Sequence, residues 1–163
     1  MTRRFTDHLA NLLMPILLAI FLTGIISSAR ADSDDGIVRV KSAVPMHEAI
    51  IRIRADIATK GIKFFSEIDQ SKLAADAGIQ LRPSTLLVFG NPALGSQFIT
   101  SKAQAGLDWP VRLLIQEDEN GEVWATYTDF DWIARRHRIT DRQPAFEMAS
   151  KVIASIVSSA QKK

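Results

Sequence analysis

The stretch PVRLLIQEDENGEVWATYT, residues 110–128, decides the fold class because two β-rich runs flank a turn signal. Asn120-Gly121 is a dipeptide that accepts positive φ angles at both central positions of a tight hairpin turn. A two-residue loop would place Glu119 opposite Glu122, and like charges facing each other disfavour that pairing. We therefore expect a β-hairpin with a loop of two or slightly more residues, in a register that the sequence leaves open.

Before this hairpin the chain alternates strands with helices. IVRVKSA, residues 37–43, mixes apolar and basic residues in an incomplete alternation and predicts a strand. A helix follows between Pro45, a favoured first helical residue, and Gly61, a favoured C-terminal cap. The apolar face of this helix comprises Met46, Ile50, Ile53 and Ile57.

Two further strands, each followed by a short helix, precede the hairpin. IKFFSEI, residues 62–68, predicts a strand, and Ser71 opens a helix that ends at Gly78. STLLVFG, residues 84–90, is apolar along most of its length, which predicts a strand covered on both faces. A short helix is expected over residues 93–101.

Two helices are predicted after the hairpin. Asp129 is placed to cap the first, and arginines gather at its end, where they complement the helix dipole. The second has an apolar stripe at helical spacing, formed by Phe146, Ala149, Ile153, Ile156 and Ala160. The order β-α-β-α-β-α-β-β-α-α predicts a single compact α+β domain over residues 37–163, with a mainly antiparallel sheet packed against helices.

Residues 1–31 have the pattern of a secretory signal peptide. Two arginines near the start precede the apolar run LLMPILLAIFLTGII, and the segment ends in Ala-Arg-Ala. The apolar run is shorter than the about 20 residues that span a bilayer, which favours cleavage after Ala31 over an uncleaved anchor. An acidic, flexible leader, residues 32–36, would then begin the mature protein.

Loss of the signal peptide leaves a formally neutral protein. Of the 20 basic and 18 acidic residues, 17 of each remain after the cleavage. Nucleic acid and anionic membrane surfaces are bound through excess positive charge, so neither is an expected partner. The chain has no cysteine, which excludes disulfides and thiolate chemistry. Together these features indicate a bacterial periplasmic or secreted protein.

The segment GNPALGS, residues 90–96, has the glycine spacing of a phosphate-binding loop. That loop needs a lysine and then a hydroxyl residue after its second glycine, whereas Ser96 and Gln97 occupy those positions. A strand-to-helix corner explains the same residues, because Asn91 can cap a helix and Gly95 permits close packing. We therefore expect a corner and no nucleotide site, with the backbone amides left as a candidate site for a small anion.

Four charged or titratable residues are further candidates for a binding or catalytic site. His137 shares the apolar stripe of its helix, so it is either a core-edge residue or a general base. Arg136 follows Trp132 by four residues and is placed to stack on its indole. Asp108 lies just before a strand that carries Arg112, so an acid and a base can meet at one strand end.

No metal or cofactor site is expected. The mature chain has His47 and His137, but neither an H-x-x-x-H nor an H-x-H spacing. The acidic segment EDENGE, residues 117–122, lacks the alternating oxygen ligands and the terminal glutamate of a calcium loop. We interpret it as a solvated hairpin tip.

Three segments resemble the family named domain of unknown function 302: LRPSTLLVFGNPALGSQF, AGLDWPVRLLIQED and GEVWATYTDFDWIARRHRI. The resemblance covers Ile37 to about Ile156 and implies a compact α+β domain that forms homodimers through its sheet. Similar sequences often have I-D-H where this chain has Ile68-Asp69-Gln70, so a role for that histidine does not carry over. The matched motif positions are Phe89, Gly90, Asn91, Pro92, Gly95, Gly106, Leu107, Asp108, Pro110, Tyr127, Arg136 and His137.

Three functions are compatible with these residues. The first is a periplasmic, non-catalytic homodimer that binds a small polar ligand or supports a partner. The second is a hydrolase or lyase in which His137 is the base and Asp108 orients it. The third is a periplasmic metal-binding protein. The candidate ligand-binding residues are Asn91, Asp108, Arg112, Tyr127, Arg136 and His137.

Overall fold

The computed structural model of the protein describes residues 35–162, which form one antiparallel sheet covered by helices. The strands are β1 (Ile37–Lys41), β2 (Lys63–Asp69), β3 (Ser84–Gly90), β4 (Val111–Glu117) and β5 (Val123–Thr128). The helices are α1 (Met46–Thr59), α2 (Gln70–Asp76), α3 (Pro92–Ser101), α4 (Phe130–His137) and α5 (Gln143–Ser158), with a 3₁₀ helix at Ala103–Leu107. The strands lie in the order β1-β5-β4-β3-β2.

The predicted α+β class and the predicted order of strands and helices are confirmed. The predicted signal peptide and residues 32–34 of the predicted leader lie outside the described residues. Gly36, at the end of that leader, is buried, and its carbonyl oxygen accepts a hydrogen bond from the backbone N–H of Asp129 (2.8 Å). Between residues 35 and 162, no helix is long and apolar enough to cross a membrane.

One face of the sheet carries the hydrophobic core, because side chains alternate between the two faces of each strand. On β5, Val123, Ala125 and Tyr127 are buried, while the residues between them are half-buried. Phe98 of α3 stacks on Phe146 of α5 with ring centroids 4.2 Å apart. Every residue of the apolar stripe predicted for the last helix is buried, although Ala160 lies just beyond the end of α5, so α5 is held by the face that the sequence indicated.

The opposite face of the sheet is only partly covered. Leu86 and Val88 of β3 are half-buried, and Leu86 pairs in register with Leu114 of β4, which is also half-buried. The prediction that both faces of β3 are covered is therefore wrong for the described chain. The cause is that the hydrophobic core and its helices lie on the other face of the sheet. Leu86, Val88 and Leu114 are therefore shielded mainly by neighbouring side chains.

Helix α2 begins one residue earlier than the sequence indicated. It starts at Gln70, and its cap is Asp69, whose Oδ1 atom accepts a hydrogen bond from the backbone N–H of Lys72 (2.8 Å). The predicted opening residue, Ser71, lies inside the helix and donates its hydroxyl hydrogen bond to the same Oδ1 atom (2.6 Å). Asp69, two residues before Ser71, is an equally good cap, which is why the helix begins earlier than predicted.

The hairpin between β4 and β5 has a three-residue loop. The backbone N–H of Asp118 donates to the carbonyl of Glu122 (2.9 Å), and that of Gly121 donates to the carbonyl of Asp118 (3.1 Å). Gly121 has a φ angle of 74°, as a glycine that ends such a loop requires. Glu122 N also donates to the Asp118 carboxylate, which lowers the pKa of that carboxyl. The longer loop avoids the Glu119–Glu122 pairing that a two-residue turn would impose.

Candidate functional site

The GNPALGS segment forms a strand-to-helix corner, as predicted. Asn91 caps α3, because its Oδ1 atom accepts hydrogen bonds from the backbone N–H groups of Ala93 (3.0 Å) and Leu94 (3.3 Å). The N–H of Gly95 donates to the Asn91 carbonyl (2.9 Å). The amides that would cradle a phosphate are therefore already bonded to Asn91, which argues against both a nucleotide and a small anion at this corner.

The two glycines of the corner make room for the indole of Trp109. A Cβ atom on Gly95 would lie 1.9 Å from the Trp109 Nε1 atom, and one on Gly90 would lie 3.0 Å from it. Phe65 closes another side of the ring, edge to face, with centroids 6.2 Å apart. The glycine spacing that resembles a phosphate-binding loop therefore makes room for the indole of Trp109.

Asp108 follows the 3₁₀ helix and lies at the end of the sheet where β4 begins. Its backbone N–H donates to the carbonyl of Ala105 (3.0 Å), and the indole of its neighbour Trp109 is packed against the corner glycines. These contacts hold the backbone of Asp108 in place. Its side chain is only 3% exposed, which is unusual for an aspartate and requires compensating partners.

Three basic side chains supply those partners. Arg112 Nη2 donates to Oδ1 (3.3 Å), and Arg136 Nη1 lies 3.2 Å from both carboxylate oxygens. His137 Nε2 lies 2.6 Å from Oδ2. We call the set of Asp108, Arg112, Arg136 and His137 the Asp108 cluster. Its four contacts use the acceptor capacity of one carboxylate almost completely.

Helix α4 delivers two of these partners from its last turn. Asp129 caps the helix by accepting from Trp132 N (2.9 Å), and Phe130 and Ile133 hold it against the core. Basic residues in the last turn are favoured by the helix dipole, so Arg136 and His137 suit this end of α4. The Arg136 guanidinium also lies over the Trp132 ring, 5.4 Å from its centroid, as predicted.

The members of the cluster differ sharply in exposure. The side chain of His137 is 7% exposed, whereas those of Arg112 and Arg136 are 52% and 46% exposed. An ionised carboxylate only accepts hydrogen bonds, so His137 Nε2 is the donor in its contact with Asp108. The carboxylate of Asp108 and the imidazole of His137 are therefore both enclosed by the protein, whereas the two guanidinium groups bound to that carboxylate reach solvent.

Two of the predicted site residues are not members of the Asp108 cluster. Asn91 is exposed and uses its side chain to cap α3. Tyr127 is buried on the helix-covered face of β5. Gln70, where similar sequences often have a histidine, follows the far end of β2 and accepts a hydrogen bond from Ser84 Oγ (2.8 Å). A histidine there would be at the opposite end of the sheet from Asp108.

Thr128 is a neighbour of the cluster that the sequence did not indicate. It lines a small recess together with Asp108, Arg112 and Ile133, and its own side chain is half-buried. Its place beside Arg112 follows from the pairing of β4 with β5, in which Leu114 lies opposite Thr126. Only knowledge of that register could have found it.

A second cavity, of about 40 Å³, lies between the corner and α5. Its lining is apolar and includes Phe98, Trp109 and Ile153. This volume is far below the roughly 300–1,000 Å³ of typical small-molecule sites. Its lining also lacks converging charged groups, so it is best described as imperfect core packing.

No group of three or more His, Asp or Glu side chains within residues 35–162 converges as a metal site would require. His47 is exposed in the first turn of α1. At the hairpin tip, the Asp118 carboxylate is bonded to the N–H groups of its own loop and to Trp124 Nε1 (2.9 Å). These contacts make Asp118 a turn-stabilising residue.

Fold and site together define a small α+β domain with a buried acid that holds two surface arginines at one end of an antiparallel sheet. The chain belongs to the family described as Domain of unknown function DUF302, which matches residues 38–156. A crystal structure of the uncharacterized conserved protein DUF302 from Bacillus stearothermophilus has the same fold, with a TM-score of 0.71 at 14% identity. The similarity covers 77% of this chain and 98% of that one.

Part of the chain is also similar to part of some longer proteins. It is 39% identical over 106 residues to the protein named fluoride-specific ion channel FluC 1 of Brucella suis, which covers 65% of this chain and 42% of that protein. The protein of the same name from Brucella abortus is equally similar, with 39% of its length covered. The chain thus matches about two fifths of the length of these curated relatives.

Proposed function

We propose that the protein is a non-catalytic module that binds a small polar ligand at the Asp108 cluster. One observation carries the proposal: a buried carboxylate holds two guanidinium groups that are about half exposed. Arginines fixed in this way lose less conformational freedom on binding than free surface arginines do. Such a site suits recognition, because its hydrogen-bond donors are held in place before the ligand arrives.

The geometry favours this proposal over a hydrolase or lyase. A histidine base that is oriented by a carboxylate must present its second ring nitrogen to the substrate. In this protein Nε2 is occupied by Asp108 and the side chain is only 7% exposed, so the imidazole offers a substrate little access. His137 is better explained as a hydrogen-bonding partner that stabilises the buried carboxylate of Asp108.

The test is a screen of small sugars, amino acids, carboxylic acids and inorganic salts. Binding is monitored by NMR through the ¹⁵N–¹H side-chain signals of the arginines. At least one compound is expected to shift the Nε–Hε signals of Arg112 and Arg136 saturably. The signal of Arg135, which is exposed on the same helix as Arg136, should not respond and is the control. Failure of every compound to shift the two cluster signals would contradict the proposal.

His137→Gln separates binding from catalysis. We expect the substitution to lower stability or affinity, because it removes a short hydrogen bond to the buried carboxylate. Wild-type protein and variant should have the same negligible turnover of activated carboxylic and phosphoric esters. Turnover by the wild type that the folded variant loses would instead establish a hydrolase.

We also propose that the protein is exported and acts as a homodimer through the half-covered sheet face. The signal-peptide pattern of residues 1–31 supports export, and N-terminal sequencing should find Asp32 first. On this face the exposed Ile68 pairs in register with the half-buried Leu86, and the exposed Ile37 lies on the edge strand β1; a second copy would cover these side chains.

Sedimentation tests the dimer. The wild type should sediment with twice the mass of the chain, and Leu86→Glu should be monomeric with an unchanged far-UV circular dichroism spectrum. Leu73→Glu, an exposed leucine on α2, is the matched control and should remain dimeric. A monomeric wild type, or a dimeric Leu86→Glu, would exclude this interface.

The relatives favour a second candidate function. Because proteins named as fluoride-specific ion channels contain a segment similar to this chain, we propose that the chain can act beside such a channel. Cells that lack the protein should then grow less well than wild-type cells in sodium fluoride, but equally well in sodium chloride of matched ionic strength. Equal growth in both salts would count against this candidate.

A further inference from the structure

We propose that the ligand of the Asp108 cluster is a small oxyanion, a carboxylate or an inorganic oxyanion, held by the outward N–H groups of Arg112 and Arg136. This inference rests on the proposed ligand-binding function and names the class of ligand. Its basis is the charge of the cluster, the donors it leaves open and the geometry of the guanidinium group.

The cluster has more positive than negative charge. Two guanidinium groups share a single carboxylate, and no other carboxylate of residues 35–162 forms an ion pair with Arg112 or Arg136. An anion bound between the arginines would complete the charge balance, whereas a cation would be repelled. A neutral ligand would leave the excess charge as it is.

Each arginine has a side chain that is about half exposed and keeps several N–H donors open. Arg112 uses Nη2 for the Leu107 carbonyl (3.2 Å) and for Asp108, and Arg136 uses Nη1 for Asp108. Within the described chain, the Nε and second Nη groups of both side chains have no protein acceptor. A guanidinium group presents its N–H donors as a planar fork that matches the paired oxygens of a carboxylate or other oxyanion.

The arginines are also held in place before binding. The Asp108 carboxylate accepts hydrogen bonds from both guanidinium groups, and the guanidinium group of Arg136 also packs over the Trp132 ring. The cluster already illustrates the required chemistry, because its two arginines bind one carboxylate of the chain itself. The N–H groups that neither arginine uses for Asp108 are the donors that an oxyanion from solvent would engage.

The test is a titration of the purified protein with sodium acetate, sodium sulfate or sodium fluoride at constant ionic strength. Acetate or sulfate should saturably shift the Nε–Hε signals of Arg112 and Arg136. Arg136→Gln should weaken that binding about tenfold or more, since it removes a charged hydrogen-bond donor. Arg136→Lys, which keeps the charge but loses the fork, should have an intermediate effect, and Arg135→Gln should have none.

The outcomes separate this inference from the proposed function. If a neutral compound shifts the cluster signals and no oxyanion does, the oxyanion class is wrong while the ligand site stands. If fluoride alone shifts them, the oxyanion class is again wrong. If nothing shifts them, both proposals fail. Equal affinities of Arg136→Gln and Arg135→Gln would also overturn the assignment to Arg136.

Discussion

Gly95→Ala is expected to lower the free energy of unfolding by up to about 3 kcal/mol, the upper range for forcing an extra methyl group into a packed site. The new Cβ atom would lie 1.9 Å from Trp109 Nε1, so the indole must leave its cradle. The indole cannot shift cheaply, since Phe65 packs edge to face against it. Urea denaturation of the two proteins measures the loss.

A control and a second variant make this prediction specific. Gly106→Ala has its nearest neighbour, Ile99 Cδ1, at 3.9 Å and should change stability very little. In a Trp109→Leu background, Gly95→Ala should cost much less than in the wild type, because the clashing ring is gone. Equal losses in both backgrounds, or equal losses for the two glycines, would show that Gly95 does not serve the indole.

Asp108→Ala should lower the free energy of unfolding by about 3 kcal/mol, the lower end of the range for breaking a buried ion pair. The substitution deprives His137 of its short hydrogen bond and leaves both guanidinium groups without their anchor. The loss stays at the low end because Arg112 and Arg136 are half exposed and can turn to water. Urea denaturation at neutral pH gives the value.

The matched control is Asp76→Ala. Asp76 pairs with Lys72 across one turn of α2, and both side chains are more than half exposed. Such surface pairs contribute about 0–1 kcal/mol. If Asp108→Ala lowered the free energy of unfolding no more than Asp76→Ala does, the buried carboxylate would not be the residue that holds the cluster together.

Local signals in the sequence were sufficient for most of the fold. The stripe of α5 was predictable because helical spacing places Phe146, Ile153 and Ile156 on one face, and that face is buried. The corner at Asn91 was predictable because an asparagine, a proline and a glycine each have a specific local role there. The start of α2 was missed because Asp69 and Ser71 are both good caps.

The candidate site was predictable only in its components. The Asp108–Arg112 pair and the Arg136–Trp132 stack follow from short spacings, and both are present. The contact of Asp108 with Arg136 and His137 joins residues 28 and 29 positions apart, so it depends on where α4 packs. No local pattern specifies that packing.

Tyr127 was placed among the site residues by family resemblance, and the alternation along β5 predicts which face of the sheet it occupies. A period of two places Tyr127 on the same face as Val123 and Ala125, which is the buried face. The glycines of the corner show that a motif position can serve the scaffold, since their spacing suits an indole of the protein itself.

The most direct test of the account is a crystal structure of the protein grown without added ligand and then soaked with the compound that binds best. The account predicts electron density for that compound within hydrogen-bonding distance of the Arg112 and Arg136 guanidinium groups, with the contacts of Asp108 intact. Density for the compound in the apolar cavity beside Trp109, with only water on the two guanidinium groups, would contradict it.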